Sequence, residues 1–254
     1  MSLIKTPKEI ATLREGGVIL AAILEKIAGA VKPGISTMDL DVLARQEVKK
    51  AGVRSAFEGY RMAGDSPAYP AVICASIDDE VVHGIPSSSR ILREGEIIGI
   101  DFGIVYQSLY TDAAVTVPVG SVSAEKQKLI DVTRLALEKG LEQVAPGRTI
   151  GDIAAAVQSE ARKAGFGVIR DLVGHGVGHA LHEKPDVPNC GKKGSLQKLE
   201  TGMVIAIEPM FTLGDWQIYF AEDGWTVKTL DGSASAHFEH SVAVTASGYL
   251  TLTA

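Results

Sequence analysis

Three histidines, His175, His179 and His182, fall within one run of eight residues, with Gly176 and Gly178 between them and Gly174 in front. Glycine admits backbone conformations that a Cβ forbids and lets other groups come close to the main chain. The run therefore reads as a strained connector presenting imidazoles to something compact. It lacks the Lys-Ser/Thr of a phosphate-binding loop, and Pro185 and Pro188 interrupt the helix such a loop would need. A surface loop with incidental histidines would explain one imidazole, but half of the chain's six histidines are here. His179 taken alone suits a satisfied core position.

Four acids stand where acids are unusual. Asp101 ends the apolar run Ile97-Ile-Gly-Ile, Asp112 follows Leu109-Tyr-Thr, Glu208 ends Val204-Ile-Ala-Ile, and Glu239 interrupts His-Phe-Glu-His-Ser-Val-Ala-Val. An unpaired buried carboxylate is costly, so such groups are paired or bound to a cation. An exposed strand end would explain any single one. Four of them with a glycine-framed histidine make a dinuclear metal site the economical reading. Four carboxylates and one neutral imidazole offset two divalent cations and leave room for a bridging hydroxide. Mostly oxygen donors with one nitrogen suit Mn²⁺, Fe²⁺, Co²⁺ or Zn²⁺. Paired cations activate water and stabilise an oxyanion, which is hydrolytic chemistry.

The elements that must position these groups are legible in outline. Thr6, Pro7 and Glu9 make a capping box for a first helix, with Leu13, Val18, Ala21, Leu24 and Ile27 recurring near helical period until about Val31. Pro33-Gly34 breaks the chain, and Ser36 with Asp39 caps a second helix ending near Gly52. Val31-Lys-Pro-Gly through Lys50-Ala-Gly52 then reappears as Val144-Ala-Pro-Gly through Lys163-Ala-Gly165. Glu25-Lys26 likewise maps onto Glu138-Lys139. Caps and ends match in register, which marks a duplicated helix–helix–strand unit and a pseudo-twofold arrangement. Strands are expected at Ala71–Ile77, Glu80–His83, Glu96–Phe102, Met203–Glu208 and His237–Thr245. The predicted class is α+β, an antiparallel-rich central sheet covered by helices. All 254 residues form one catalytic domain, with halves of about 1–120 and 121–254.

Net charge is −6, so no basic nucleic-acid footprint is present. Two cysteines, Cys74 and Cys190, make no disulfide framework and fit a reducing cytoplasm. No apolar run reaches membrane-spanning length, and no signal peptide opens the chain.

The chain resembles the type I methionine aminopeptidases of the pita-bread metallopeptidase superfamily, from about Lys8 to Thr251. The resemblance lies in Glu80-Val-Val-His-Gly-Ile-Pro86, Ile100-Asp-Phe-Gly with Tyr110-Thr-Asp112, Gly174-His-Gly-Val-Gly with His182-Glu-Lys-Pro185, Ile207-Glu-Pro-Met210 and Phe238-Glu-His-Ser-Val-Ala-Val-Thr245. It implies that Asp101 chelates one divalent metal, that Asp112 and Glu239 bridge two, and that His175 and Glu208 complete the other. It makes Glu208 the general base, with His83 and His182 hydrogen-bonding substrate and intermediate. Tyr60, Tyr69, Cys74, Leu181 and Trp225 would line the methionine pocket; read without the family, the aromatic ones are ordinary packing residues. The implied reaction is removal of N-terminal methionine from nascent chains with a small second residue, a rule that Met1-Ser2 itself satisfies. The implied setting is a cytoplasmic monomer, with ribosome contact left open.

The chain departs from that pattern in places. Arg61–Ala68 lengthens a loop edging the pocket. Asp78-Asp79 replaces an Asn-Glu pair, and Asp78 would fall near an auxiliary monovalent-cation site. Ala-Ala follows Asp112 where the family wording differs. The insertion of type II enzymes and the zinc-finger-like extension of some eukaryotic type I enzymes are both missing. The alternatives are a proline-specific dipeptidase or aminopeptidase P of the same fold, which normally carries a large N-terminal domain, and a non-catalytic binding module that lost its metals.

Overall fold

A computed structural model describes residues 2–61 and 67–254. The first helix, α1 (Pro7–Gly29), starts as its capping box predicts, Thr6 accepting from Glu9 N and the Glu9 carboxylate closing back on Thr6 N. It stops at Ala30, short of Val31. Val18, expected on the apolar stripe, is 47% exposed; the buried face is Leu13, Leu20, Ile23, Leu24 and Ile27. Helix α2 (Thr37–Ala51) is capped by Ser36 and ended by Gly52 in the left-handed region.

The second half repeats this. Helix α3 (Ala124–Leu141) leads to α4 (Ile150–Ala164), capped by Thr149 with Asp152 and ended by left-handed Gly165. The turns correspond bond for bond: Gly34 N and Gly147 N donate to Leu92 O and Leu199 O, and Leu92 N and Leu199 N donate back to Ile35 O and Arg148 O. Two-residue strands, β1 (Arg54–Ser55) and, in the second half, β6 (Gly167–Val168), follow at the same spacing.

Between the helical pairs run β2 (Cys74–Ile77), β3 (Glu80–Val82), β4 (Ile97–Tyr106) and β5 (Leu109–Pro118). After β6 come β7 (Val173–Gly176), β8 (Glu183–Pro188), β9 (Val204–Ile207), β10 (Met210–Thr212), β11 (Ile218–Phe220), β12 (Val227–Thr229), β13 (Ser235–His237), β14 (Glu239–Thr245) and β15 (Gly248–Thr251). Among the described residues a nine-stranded sheet has the order β1-β4-β5-β14-β9-β7-β8, with β2 on β4 and β15 on β14. Its pairings are antiparallel. The α+β class is what the sequence predicts; the boundaries shift. Ala71–Ile73 precedes β2 as a bend, and the expected His237–Thr245 strand is broken at Phe238 into β13 and β14. Strand β4 runs on to Tyr106, so Asp101 sits inside a strand rather than at its end.

Alternation along β4 divides its two faces. Ile98, Ile100, Phe102 and Ile104 pack with Leu20, Leu24 and Ile27 of α1 and Leu40 and Ala44 of α2. Ile205 and Ile207 of β9, with Val242 and Val244 of β14, pack with Leu137 and Leu141 of α3 and Ile153 and Val157 of α4. The helices therefore cover one side of the sheet through two related cores. The intervening positions of β4, Asp101 among them, face the other side. No helix among the described residues is long and apolar enough to cross a membrane.

Candidate active site

Register brings the acids together. Asp101 on β4 lies opposite Ala114 on β5, and Ala114 lies opposite Glu239 on β14. Directly opposed residues share a face, as do residues two apart on one strand, so Asp112 joins Asp101 and Glu239 on that side. Glu208 follows β9, which pairs with β14 through His240↔Ile207. His175 is on β7, which pairs with β9 through Gly176↔Ile205. Gly103 sits opposite Asp112, and a Cβ there would meet Phe57, Ala56 and Asp112 Oδ1 at about 3 Å. The glycine-framed run begins as strand, Val173–Gly176, and only residues 177–182 form a connector, with Gly178 at φ +138. Its glycines serve close approach: a Cβ on Gly174 or Gly176 would lie 2.4 Å from Ala206 O or 2.2 Å from Lys184 O.

All five candidate ligands line one cavity of about 330 Å³. Atoms of Asp112, His175 and Glu239 lie within 4.8 Å of one another, and all three residues are buried. His175 Nε2 is 3.6 Å from Glu208 Oε1 and 4.0 Å from Glu239 Oε1. Those separations exceed a hydrogen bond but suit two ligands around one cation. His175 Nδ1 is 2.9 Å from Gly176 O, which can only accept, so the ring proton is on Nδ1 and the Nε2 lone pair faces the acids. Asp101 Oδ1 and Glu239 Oε1 are buried without a hydrogen-bond partner among the described residues. A lone pair and orphaned carboxylate oxygens converging in a buried cavity fit divalent cations.

The electrostatics agree. Burial raises Asp101 to about 7 against the opposing pull of His237; burial first, then neighbouring carboxylates, lifts Asp112 and Glu239 well above the carboxylate range, and burial raises Glu208 to about 8. Cations would reverse those shifts. Burial lowers His175 to about 4, His83 to about 4 and His182 to about 3. All three imidazoles are therefore neutral at pH 7.

His83 takes a left-handed conformation (φ 61°) immediately after β3, a strained setting for a residue with a Cβ. Its ring meets Trp225 edge-on at 6.0 Å. His182 stacks at an angle on His175 at 4.4 Å, and its Nδ1 is 2.7 Å from Tyr60 Oη. Tyr69 contacts Trp225 at 5.1 Å and Phe57 at 6.4 Å, and its hydroxyl donates towards Ile73 O and Gly84 O. Cys74, Leu181 and Trp225 are buried beside it. The flanks of the lengthened loop are tied together, Tyr69 N donating to Tyr60 O and Gly59 N to Tyr69 O. Residues 62–66 of that loop lie outside the described residues.

Sequence reasoning missed several groups. Phe57, Val82, Leu172, Val173 and Met210 line the cavity, and Asp171 stands at its exposed edge. His237 is buried with Nε2 3.6 Å from Glu208 Oε2. Its position two residues before Glu239 was the available signal. His179, in contrast, leaves the site: it is half-buried, with Nε2 2.7 Å from Glu9 Oε1. Asp78 already has a cation of the chain's own, Lys126 Nζ at 2.7 Å, which also donates to Gly95 O.

A sequence model of metallopeptidase family M24 matches residues 11–246. The chain belongs to that family. The methionine aminopeptidase of Aquifex aeolicus is 46% identical over 97% of this chain and 96% of its own length. The crystal structure of the methionine aminopeptidase from Thermotoga maritima superposes with a TM-score of 0.94 at 43% identity, covering 98% of both chains. The prolidase from Pyrococcus horikoshii superposes at 0.78 with 21% identity, over 63% of its length. That likeness speaks for the shared pita-bread fold alone. This M24 chain is accordingly a metal-dependent hydrolase with an α+β, pseudo-twofold architecture.

Proposed function

We propose that this chain removes N-terminal methionine from peptides and newly made proteins whose second residue is small. One observation carries the reading: a chamber of Phe57, Tyr69, Cys74, Leu181 and Trp225 adjoins Asp101, Asp112, His175, Glu208 and Glu239 in a single cavity. Aromatic and sulfur-bearing walls suit a thioether. The full-length likeness to proteins named methionine aminopeptidase supports the same assignment. No comparable feature favours a proline-specific enzyme. Five convergent ligand candidates argue against a binding module.

Two divalent cations fit the donor set, and Asp101, Asp112, His175, Glu208 and Glu239 would hold them. Mn²⁺, Fe²⁺, Co²⁺ and Zn²⁺ are the candidates. Such ions, when bound, supply Lewis acidity that activates water and polarises the scissile carbonyl. The chain's own groups do the remainder. Glu208 accepts the proton released on attack and returns it to the leaving amine. His83 and His182, both neutral, offer N–H donors to the oxygen that gains charge. Tyr60 Oη lies 2.7 Å from His182 Nδ1, and with the phenol donating there the ring proton would stand on Nε2 for that purpose. The methionine side chain enters the aromatic chamber, and a bulky second residue crowds its mouth.

Residues 1–254 act as one catalytic unit of two related halves: the first supplies Asp101 and Asp112, and the second supplies His175, Glu208 and Glu239. The donor set lies within one chain, so a monomer suffices. The setting we infer is the cytoplasm, with nascent chain N-termini as substrates and no nucleic acid bound. A series of Met-Xaa-Ser peptides tests the specificity. Gly or Ala as Xaa should exceed Leu by about 100-fold in kcat/KM, in the range that pocket contacts supply. Equal rates for Leu, or equal release of leucine from Leu-Ala-Ser, would overturn it.

A further inference from the structure

The hook between β7 and β8, residues 177–182, carries Leu181 and His182 into the cavity. What holds its shape comes from outside the site. Glu183, at the start of β8, turns one carboxylate oxygen to the hook: Oε1 accepts from His179 N and Ala180 N. Its other oxygen, Oε2, is 2.5 Å from Lys5 Nζ. The Lys5 side chain has no exposed surface and that of Glu183 is 7% exposed. Lysine is rarely buried so fully unless paired.

Lys5 reaches this place because its backbone is anchored. Lys5 N donates to Gly202 O, and Ile4 bridges Met203 just before β9. The stem crosses Gly178, where a Cβ would lie 2.6 Å from Lys5 Cε. Gly178 has φ +138, a conformation that favours glycine for a second reason. The first turn of α1 adds another tie, Glu9 Oε1 to His179 Nε2 at 2.7 Å. The segment before α1 thus passes beneath the hook and fills it with an ammonium.

We propose that Lys5 is a positioning residue for the reaction, acting through Glu183 to hold Leu181 and His182 against the cavity. The ammonium pairs with Glu183 and orients it, the carboxylate gathers the amides of residues 179 and 180, and the gathered turn sets the direction of His182. A buried carboxylate deprived of its partner becomes an uncompensated charge. The hook then loses its clamp, whereas Asp112, His175 and Glu239 stand on strands and keep their places. This rests on the methionine aminopeptidase reading for its kinetic arm only.

The test compares Lys5→Met, which keeps the stem without the charge, with the double variant Lys5→Met/Glu183→Gln, which leaves no unpaired charge. Each is assayed well below its melting temperature with Met-Ala-Ser, titrated calorimetrically with Mn²⁺, and examined by NMR of its histidine rings. Lys5→Met should lose about 10- to 100-fold in kcat, by weakening a donor worth about that much or more. Mn²⁺ affinity should stay at the wild-type value. The His182 resonance, assigned by its loss in His182→Ala, should move, while that of His240, bonded to Thr253, should not. The double variant should recover part of kcat, because the amide oxygen introduced by Glu183→Gln can still accept from the two backbone N–H groups. If Lys5→Met does not fold, the double variant carries the same prediction for His182. Wild-type kcat and an unmoved His182 signal in a folded variant overturn the proposal. If the wild-type chain releases no methionine, the assigned reaction falls, and the NMR arm still decides the role of Lys5.

Discussion

His175 Nε2 points its lone pair at Glu208 Oε1 from 3.6 Å, while Nδ1 is committed to Gly176 O at 2.9 Å. A neutral imidazole and a carboxylate in that orientation repel unless a cation or a proton lies between them. The same logic covers Asp101 Oδ1 and Glu239 Oε1, buried and without a hydrogen-bond partner among the described residues. The site is an arrangement of donors whose cost is met by bound metal.

Asp112→Asn tests that arrangement. Removing one carboxylate charge from a cluster within 4.8 Å should weaken Mn²⁺ binding by at least about 10-fold, the scale of losing a metal-site contact. Calorimetry on stripped protein checks it. A titration matching wild type would count against Asp112 as a ligand.

Glu208→Gln keeps the side-chain shape and removes the proton acceptor. Turnover of Met-Ala-Ser should fall by about 100- to 10,000-fold, the usual worth of general acid–base catalysis. Circular dichroism should show the fold unchanged. Wild-type turnover would rule out Glu208 as base.

His182→Ala removes a donor that stacks on His175 at 4.4 Å. We expect kcat to fall by about 100-fold with metal stoichiometry retained, consistent with loss of one oxyanion donor. Metal content and kinetics measured on the same sample separate the two. Loss of metal would make His182 a ligand instead.

Stability should depend on pH in a direction set by the acids. In the metal-free chain Asp101 (about 7), Glu208 (about 8), Asp112 and Glu239 all have folded-state pKa values above their unfolded values of 3.8 or 4.5. Their contribution is fully present below those unfolded values and is lost as pH rises through the folded ones. His83 and His175, lowered from 6.5 to about 4, act in the opposite sense until pH passes 6.5. The melting temperature of stripped protein should therefore fall between about pH 6.5 and pH 8.5, and saturating Mn²⁺ should flatten the fall. A flat profile without metal would contradict the burial of these groups.

Local pattern carried much of this. The caps at Thr6, Ser36 and Thr149 and the stops at Gly52 and Gly165 lie where the sequence predicts, because each is decided by residues three or four apart. Asp101, Asp112, Glu208 and Glu239 were visible as acids in apolar runs. The rest depends on contacts between distant residues. Nothing near Asp78 announces Lys126, and nothing near Glu183 announces Lys5, 178 residues earlier. The break at Phe238 separates β13 from β14, so one apparent strand became two, and His237 went unnoticed beside Glu208. Val18 followed the helical period, yet it is 47% exposed, and no described element covers it.

The most direct measurement is a competition assay on metal-stripped protein given Mn²⁺, Co²⁺, Fe²⁺ or Zn²⁺ separately, with Met-Ala-Ser and Ala-Pro present together. The account predicts release of methionine only when metal is restored, with Ala-Pro intact. Cleavage of Ala-Pro, undiminished activity in the stripped protein, or bound metal without any cleavage would each contradict it.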